Sequence, residues 1–251
     1  MLSIENLSFS YRANLVLNDI SFNVEKGKIK GLIGPNGSGK STLLKNILYL
    51  ERPVAGKNFL NNITIEKMTL KERAKNISYV PQFTTPNFPH SVFYTVLMGR
   101  KPYIGWNYAQ EDEKKTHGVL KQMGLDELSE RLFSNLSGGE KQKVILARAV
   151  VQECPVMLLD EPTSNLDLRH KQDLMKALRD MVESQNVSIL IAIHDLNLAA
   201  RFCDEIILLN HGEKVVEGTP REVITKENIE EVYQVKIKIM YEENDPLIFI
   251  E

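Results

Sequence analysis

Cysteine is scarce in this sequence: Cys154 and Cys203 are its two thiols in 251 residues. That excludes a disulfide framework and a cysteine-based metal cluster, and it suits a reducing compartment. Long apolar runs are missing too. The longest, such as Ile189 to Ile193 and Ile206 to Leu209, fall far short of the ~20 residues that cross a bilayer. The start, Met1-Leu2-Ser3-Ile4-Glu5-Asn6, has neither the basic nor the apolar region of a signal peptide. Any work at a membrane therefore needs a span from another chain. Charge is balanced, with 31 Lys and Arg against 33 Asp and Glu, so no global basic field points to nucleic acid. There is no internal repeat, no low-complexity linker and no long run of heptads. What remains is an ordinary globular composition, 43% hydrophobic and 25% charged. The length fits one large domain, or a core with a subdomain.

Residues 1–30 alternate apolar and polar positions (Leu2, Ile4, then Ile20, Phe22, Val24) and predict strands with a turn near Arg12-Ala13-Asn14. Ile29 to Ile33 predicts a short buried strand. Ser41 to Leu50 predicts a helix stopped before Pro53, and Phe59 to Ile65 and Ile77 to Val80 predict further strands. After Gln82 the texture changes. Phe83 to Trp106 holds Pro86, Pro89, Gly99, Pro102 and Gly105 around a helical piece at Val92 to Met98, and residues 110–133 have charged, helical spacing. Residues 85–150 therefore read as a helical insertion in a single 1–251 domain, whose core is 1–84 and 151–251. Strand patterns return at Val156 to Leu159, Ser188 to Ile193 and Glu205 to Leu209, with helices at 168–183 and 195–202. Strands alternating with helices predict an α/β fold with a mostly parallel sheet covered on both faces. From Val215 the tail pairs short strands with a helix near Lys226 to Tyr233.

Two stretches carry the chemistry. Gly34-Pro35-Asn36-Gly37-Ser38-Gly39-Lys40-Ser41 follows a strand and opens a helix, the setting in which a glycine loop binds phosphate. Its glycines let successive N–H groups point at phosphate oxygens, and the helix from Lys40-Ser41-Thr42 adds its positive dipole end. Lys40 is expected at the β- and γ-phosphates of ATP, and the Ser41 hydroxyl is a hard donor suited to Mg2+. The bland alternative is a glycine turn with a chance lysine. Downstream, Val156-Met157-Leu158-Leu159-Asp160-Glu161 ends a buried strand in two carboxylates. Isolated, such a pair usually means a strand end meeting solvent. Behind a phosphate loop, Asp160 suits Mg2+ and Glu161 suits a base that polarises water. Ser137-Gly138-Gly139-Glu140 fits a capping box before a helix from Lys141 to Val151. Capping leaves the glycines unexplained, since each costs about 1 kcal/mol in a helix relative to alanine. An anion approaching the helix N-terminus explains them.

With these residues the chain resembles the ATP-binding cassette (ABC) ATPases over essentially its whole length. The phosphate loop at 34–42, the signature Leu136-Ser137-Gly138-Gly139-Glu140 and the acidic strand end Asp160-Glu161 stand in the family order. Ser164-Asn165-Leu166-Asp167 looks like the D-loop, with Asn165 where alanine is common. His194 looks like the switch histidine, Gln82 after Tyr79-Val80-Pro81 like the Q-loop, and Tyr11 like the aromatic that stacks on adenine. Singly, each of the last three is ordinary; their order around two strong motifs gives them weight. The resemblance implies an α/β phosphate-loop core, an N-terminal antiparallel β part and an inserted helical subdomain. It implies ATP and Mg2+ as cofactors. Glu161, His194 and Gln82 are then catalytic, and Ser41, Gln82 and Asp160 lie at the metal. Tyr11, Gly34, Asn36, Gly37, Ser38, Gly39, Lys40, Ser41 and Thr42 bind nucleotide, as do Ser137, Gly138, Gly139 and Asp167. It further implies a head-to-tail homodimer with two ATPs at its interface.

Val96-Leu97-Met98-Gly99-Arg100-Lys101-Pro102-Tyr103-Ile104-Gly105-Trp106, with His194-Asp195-Leu196-Asn197-Leu198-Ala199, resembles the ATPase subunits of importers for iron chelates, haem and cobalamin. That implies integral-membrane permease subunits as partners, indirectly a substrate-binding protein, and a place on the cytoplasmic face of the membrane. Tyr103 and Trp106 are expected to be exposed contacts for the permease. Neither an appended regulatory domain nor a second cassette is expected, since none is read in the residues up to Glu251. Two other classes compete: an ABC ATPase remodelling a protein or nucleic-acid assembly, disfavoured by the near-neutral charge, and a small-molecule kinase, disfavoured by the complete signature.

Overall fold

A computed structural model describes residues 1–82, 90–164, 166–242 and 245–251. β1 (Leu2–Tyr11) and β2 (Asn14–Val24) form a hairpin turning at Arg12 and Ala13. β1 also pairs with β4 (Ala55–Leu60), which turns back into β5 (Ile63–Thr64), giving an antiparallel sheet of order β2-β1-β4-β5. The expected strand from Phe59 to Ile65 is thus a hairpin. Asn61 and Asn62 take φ of 49° and 65°, the two left-handed positions of a tight hairpin turn, which asparagine tolerates.

The second sheet holds β3 (Ile29–Ile33), β6 (Ile77–Val80), β7 (Val156–Asp160), β8 (Ser188–Ala192), β9 (Glu205–Asn210) and β10 (Glu213–Gly218). Its order is β10-β9-β3-β8-β7-β6, parallel except for β10. The central strands β3, β7 and β8 are buried along their whole length because both faces are covered, whereas the edge strand β10 is more polar and not buried. Ile29, Ile33, Met157, Leu159, Ile189 and Ile191 face one core, while Leu32, Leu158, Leu190 and Ile207 face the other.

That second core is closed by α1 (Lys40–Ile47), whose Leu43, Leu44 and Ile47 are wedged between the two sheets. The helix stops earlier than the expected Leu50. Tyr49 adopts φ 57°, and the Leu50 N–H closes onto Lys45 O at 3.0 Å, so a Schellman closure ends the helix before Pro53 can. α2 (Leu70–Asn76) was not anticipated, although Thr69 and Glu72 form a complete capping box.

Between β6 and β7 the chain is helical: α3 (Val92–Leu97), a 3-10 turn (Met98–Tyr103), α4 (Gln110–Gln122) and α5 (Gly138–Val150). The helical pattern of 110–133 breaks after Gln122. Gly124, at φ 63°, lets Leu125 N–H reach Leu120 O at 2.8 Å, and short 3-10 turns follow. α5 begins at Gly138, three residues earlier than expected, so both glycines lie in its first turn. α6 (Leu168–Gln185), α7 (Leu196–Phe202), α8 (Pro220–Val223) and α9 (Lys226–Tyr233) complete the helices, and β11 (Ile237–Glu242) with β12 (Asp245–Ile250) makes a terminal hairpin. Both thiols are buried, and burial pushes each up to about 12, which leaves them unreactive.

Arg100 ties the helical part together. It is 4% exposed, and its guanidinium donates to Asp112 of α4 at 2.9 Å and to Val151 O and Glu153 after α5 at 2.8 Å. The Arg100 hydrogen bond holds the Asp112 carboxyl below its ordinary pKa. Removing Asp112 leaves a buried cation short of a partner. Asp112→Ala is expected to cost about 3 kcal/mol in urea unfolding at neutral pH. A depressed folded pKa means this stabilisation is present above the unfolded value of about 4 and disappears as pH falls through the lower folded value. The two proteins should therefore converge in acid.

Candidate functional site

The loop between β3 and α1 wraps a cleft of about 440 Å³ lined by Asn36, Gly37, Gly39, Lys40, Ser41, Thr42, Gln82, Glu161 and Val16. Gly34, at φ 147°, admits no side chain, because a Cβ there would lie 2.2 Å from Leu209 O. Gly39 occupies the N-cap of α1 and supplies no capping side chain, so the first-turn N–H groups are left for an anion. Lys40 is 5% exposed, and its ammonium donates to Gly34 O at 2.8 Å and Pro35 O at 3.0 Å, folded under the loop. Burial lowers its pKa, and the Glu161 and Asp160 carboxylates oppose that shift.

Asp160 closes β7. Its Oδ1 accepts the Ser41 hydroxyl at 2.8 Å, and its Oδ2 accepts the Tyr79 hydroxyl at 3.3 Å. Burial raises its pKa against the Ser41 hydrogen bond. A hydroxyl and a carboxylate oxygen in contact beside a phosphate loop fit a hard divalent cation such as Mg2+, which takes its other ligands from phosphate and water. Gln82, expected at the metal, lines the cleft and donates its amide to Glu161.

Glu161 is the most constrained residue of the site. Its backbone sits at φ 51°, a left-handed conformation costing roughly 1–2 kcal/mol for a residue with a Cβ. Neighbours lock it there: Glu161 N–H donates to Ala192 O at 3.1 Å, and Ser164 donates N–H and Oγ–H to Glu161 O at 3.2 and 3.0 Å. The buried carboxylate receives Gln82 on Oε2 and meets His194 Nε2 on Oε1. Two residues distant in sequence thus converge on one carboxylate.

The remaining expected residues lie as follows. The Tyr11 hydroxyl donates to Glu51 beside Thr42, at the rim of the cleft, and its half-exposed ring stands edge-on to Phe9. The Ser38 hydroxyl is buried in the loop without a partner in the described residues. Ser137, Gly138, Gly139 and Asp167 do not line the cleft. Ser137 and Glu140 form a complete capping box, and Asp167 caps α6 by accepting the His170 N–H at 2.9 Å. Asn165 and residues 83–89, including Pro86 and Pro89, lie outside the described residues. Tyr103 is half-buried, not exposed: its hydroxyl donates to Gln152 O at 2.9 Å and Arg100 covers its ring at 4.1 Å. Trp106 is fully exposed. Sequence reasoning missed Val16 and Tyr79. Val16 shows no local signal, and Tyr79 sits three residues before Gln82 on a strand whose side chains alternate.

Residues 17–164 match the family model described as ABC transporter. This chain belongs to the ABC transporter ATP-binding family. It is an ABC-type ATPase with the expected α/β fold. It is 39% identical over 243 residues to the iron(3+)-hydroxamate import ATP-binding protein of Bacillus subtilis, covering 95% of this chain and 90% of that protein. A structure of a metal-chelate type ABC transporter in an inward-facing conformation matches with a TM-score of 0.86 at 32% identity, covering 100% of this chain and 96% of that one. A dimeric ATP-binding cassette in a post-hydrolysis state with ADP and Pi matches with a TM-score of 0.79 at 29% identity, over 88% and 99% of the two chains.

Replacing Glu161 by Gln keeps the size of the side chain between His194 and Gln82 of this ABC ATPase but leaves an amide that cannot accept a proton. Glu161→Gln is expected to bind ATP within about threefold of wild type and to hydrolyse it at least ~100-fold more slowly, within the range that general-base catalysis contributes. Fluorescent-nucleotide titration and phosphate release measure the two quantities.

Proposed function

We propose that this chain powers uptake of a metal chelate, of the iron-siderophore, haem or cobalamin kind, through a separate membrane permease. It works as a homodimer on the cytoplasmic face, with an ATP at each of two shared sites. The observation that carries this reading is the division of the site. The cleft holds a phosphate loop, a buried cation, a cation-binding oxygen pair and a locked carboxylate, while the signature helix stands elsewhere. Among the described residues a Cβ at Gly138 would meet nothing within 4 Å, so no described neighbour accounts for the glycine. A nucleotide carried by a second copy does.

The residues then act as follows. Loop N–H groups and Lys40 hold the phosphates, Ser41 and Asp160 hold Mg2+, and Glu161 takes a proton from the attacking water. Held by Ser41 and Asp160, Mg2+ would supply positive charge that offsets the phosphate charge. His194 and Gln82 keep the Glu161 carboxylate in place. γ-Phosphate adds the anion that bridges to the Ser137 helix, so binding closes the dimer and hydrolysis weakens it. Domain limits of 85–150 for the helical part fit the position of α3 to α5 between β6 and β7.

Support for the chelate cargo comes from what the Bacillus subtilis relative imports and from the metal-chelate type of the similar transporter. The permease seat is a groove of about 600 Å³ between α2, the Met98–Tyr103 turn and α5, with Leu70, Met98 and Pro102 among apolar lining residues and Lys71, Lys101 and Arg148 as cations. Among the described residues Arg148 has no ion pair, and burial alone lowers its pKa. Groove chemistry therefore suits an apolar segment bearing a carboxylate. In reconstituted vesicles with permease and binding protein, a ferric hydroxamate, haem or cobalamin should stimulate ATPase and accumulate inside. Failure of all three removes the cargo assignment. Arg148→Glu should lower permease co-purification about tenfold, as expected for a reversed charge at an interface. Undiminished recovery of the permease contradicts the seat.

A further inference from the structure

Asp160 is gripped by two hydroxyls, Ser41 on Oδ1 at 2.8 Å and Tyr79 on Oδ2 at 3.3 Å. The carboxylate is 2% exposed, so an oxygen without a donor there has little water to turn to. The two donors differ in their other duties. Ser41 belongs to the phosphate loop helix and lines the nucleotide cleft. Tyr79 belongs to the edge strand β6 and does not line it. The parallel register sets Tyr79 opposite Leu158, two residues before Asp160, with its ring packed on the core that contains α1. A phenol is long enough to span that offset; a shorter hydroxyl is not.

We propose that Tyr79 is a positioning residue for Asp160: its hydroxyl ties down Oδ2 and leaves Oδ1 turned toward Ser41 and the cation. A carboxylate held at one oxygen offers a single, fixed donor, whereas a free one rotates and loses its alignment with Ser41. The same side chain lines the groove assigned above to the permease, so Tyr79 touches both regions. The inference rests on the reading of Ser41 and Asp160 as the cation side of the nucleotide site.

The test is the affinity for Mn2+, read by the electron paramagnetic resonance signal of the free ion, in the presence of a non-hydrolysable ATP analogue. Tyr79→Phe keeps the ring and its packing and deletes the hydroxyl. It is expected to weaken Mn2+ binding by about threefold to tenfold, the range of one hydrogen bond, while affinity for the nucleotide without metal stays within about twofold. A merely structural role would move both quantities together or neither. Asp160→Asn is the reference variant and should abolish the metal-dependent part. If Asp160→Asn loses the metal and Tyr79→Phe retains wild-type affinity, the positioning role is overturned and the site assignment stands. If Asp160→Asn itself binds Mn2+ like wild type, the cation-side reading fails and this inference with it.

Discussion

Everything at this site depends on burying two adjacent carboxylates at the end of one parallel strand. Asp160 and Glu161 are 2% and 6% exposed, and two such charges side by side are expensive unless each is bound. They are separated by backbone conformation. Asp160 continues β7 and points to Ser41 and Tyr79. Glu161 turns into the left-handed region and points to Gln82 and His194. Two adjacent residues thus carry the carboxylates proposed for a cation and for a water, with different neighbours. Lys40 lies close enough to both to offset part of their charge.

The surrounding architecture keeps these groups in register. β7 is flanked by β8 and β6, which deliver His194 and Gln82 just past their ends. The Glu161 turn is pinned to Ala192 at the end of β8. A shift of either neighbouring strand therefore moves the Glu161 carboxylate. The sheet is also what α1 packs on, so the phosphate loop shares a foundation with the carboxylates.

Much of this was legible in the residues. The strand before Gly34 and the helix after it were fixed by an apolar run and a glycine loop, and Ser137 with Glu140 announced its capping box. The apolar strands also foretold a sheet covered on both faces. Other features depend on tertiary contacts with no local signature. The Asn61-Asn62 reversal lay inside a β-rich stretch and looked like one strand. Tyr103 looked exposed beside Pro102, yet Arg100 and Gln152 hold it in place. Tyr79 reads as a plain strand aromatic until the register sets it near Asp160. What faces Gly138 is invisible for another reason, since among the described residues nothing lies within 4 Å of a Cβ there.

The division of the site between two copies is the central claim, and complementation measures it most directly. Ser137→Arg blocks one half and Lys40→Ala the other, so each variant alone should lack ATP hydrolysis. Mixed, they form dimers with one site whose phosphate loop and signature helix are both intact. The account predicts that single-turnover hydrolysis reappears in the mixture and that the Ser137→Arg chain alone still binds ATP. Wild-type turnover by the Ser137→Arg chain alone contradicts a shared site.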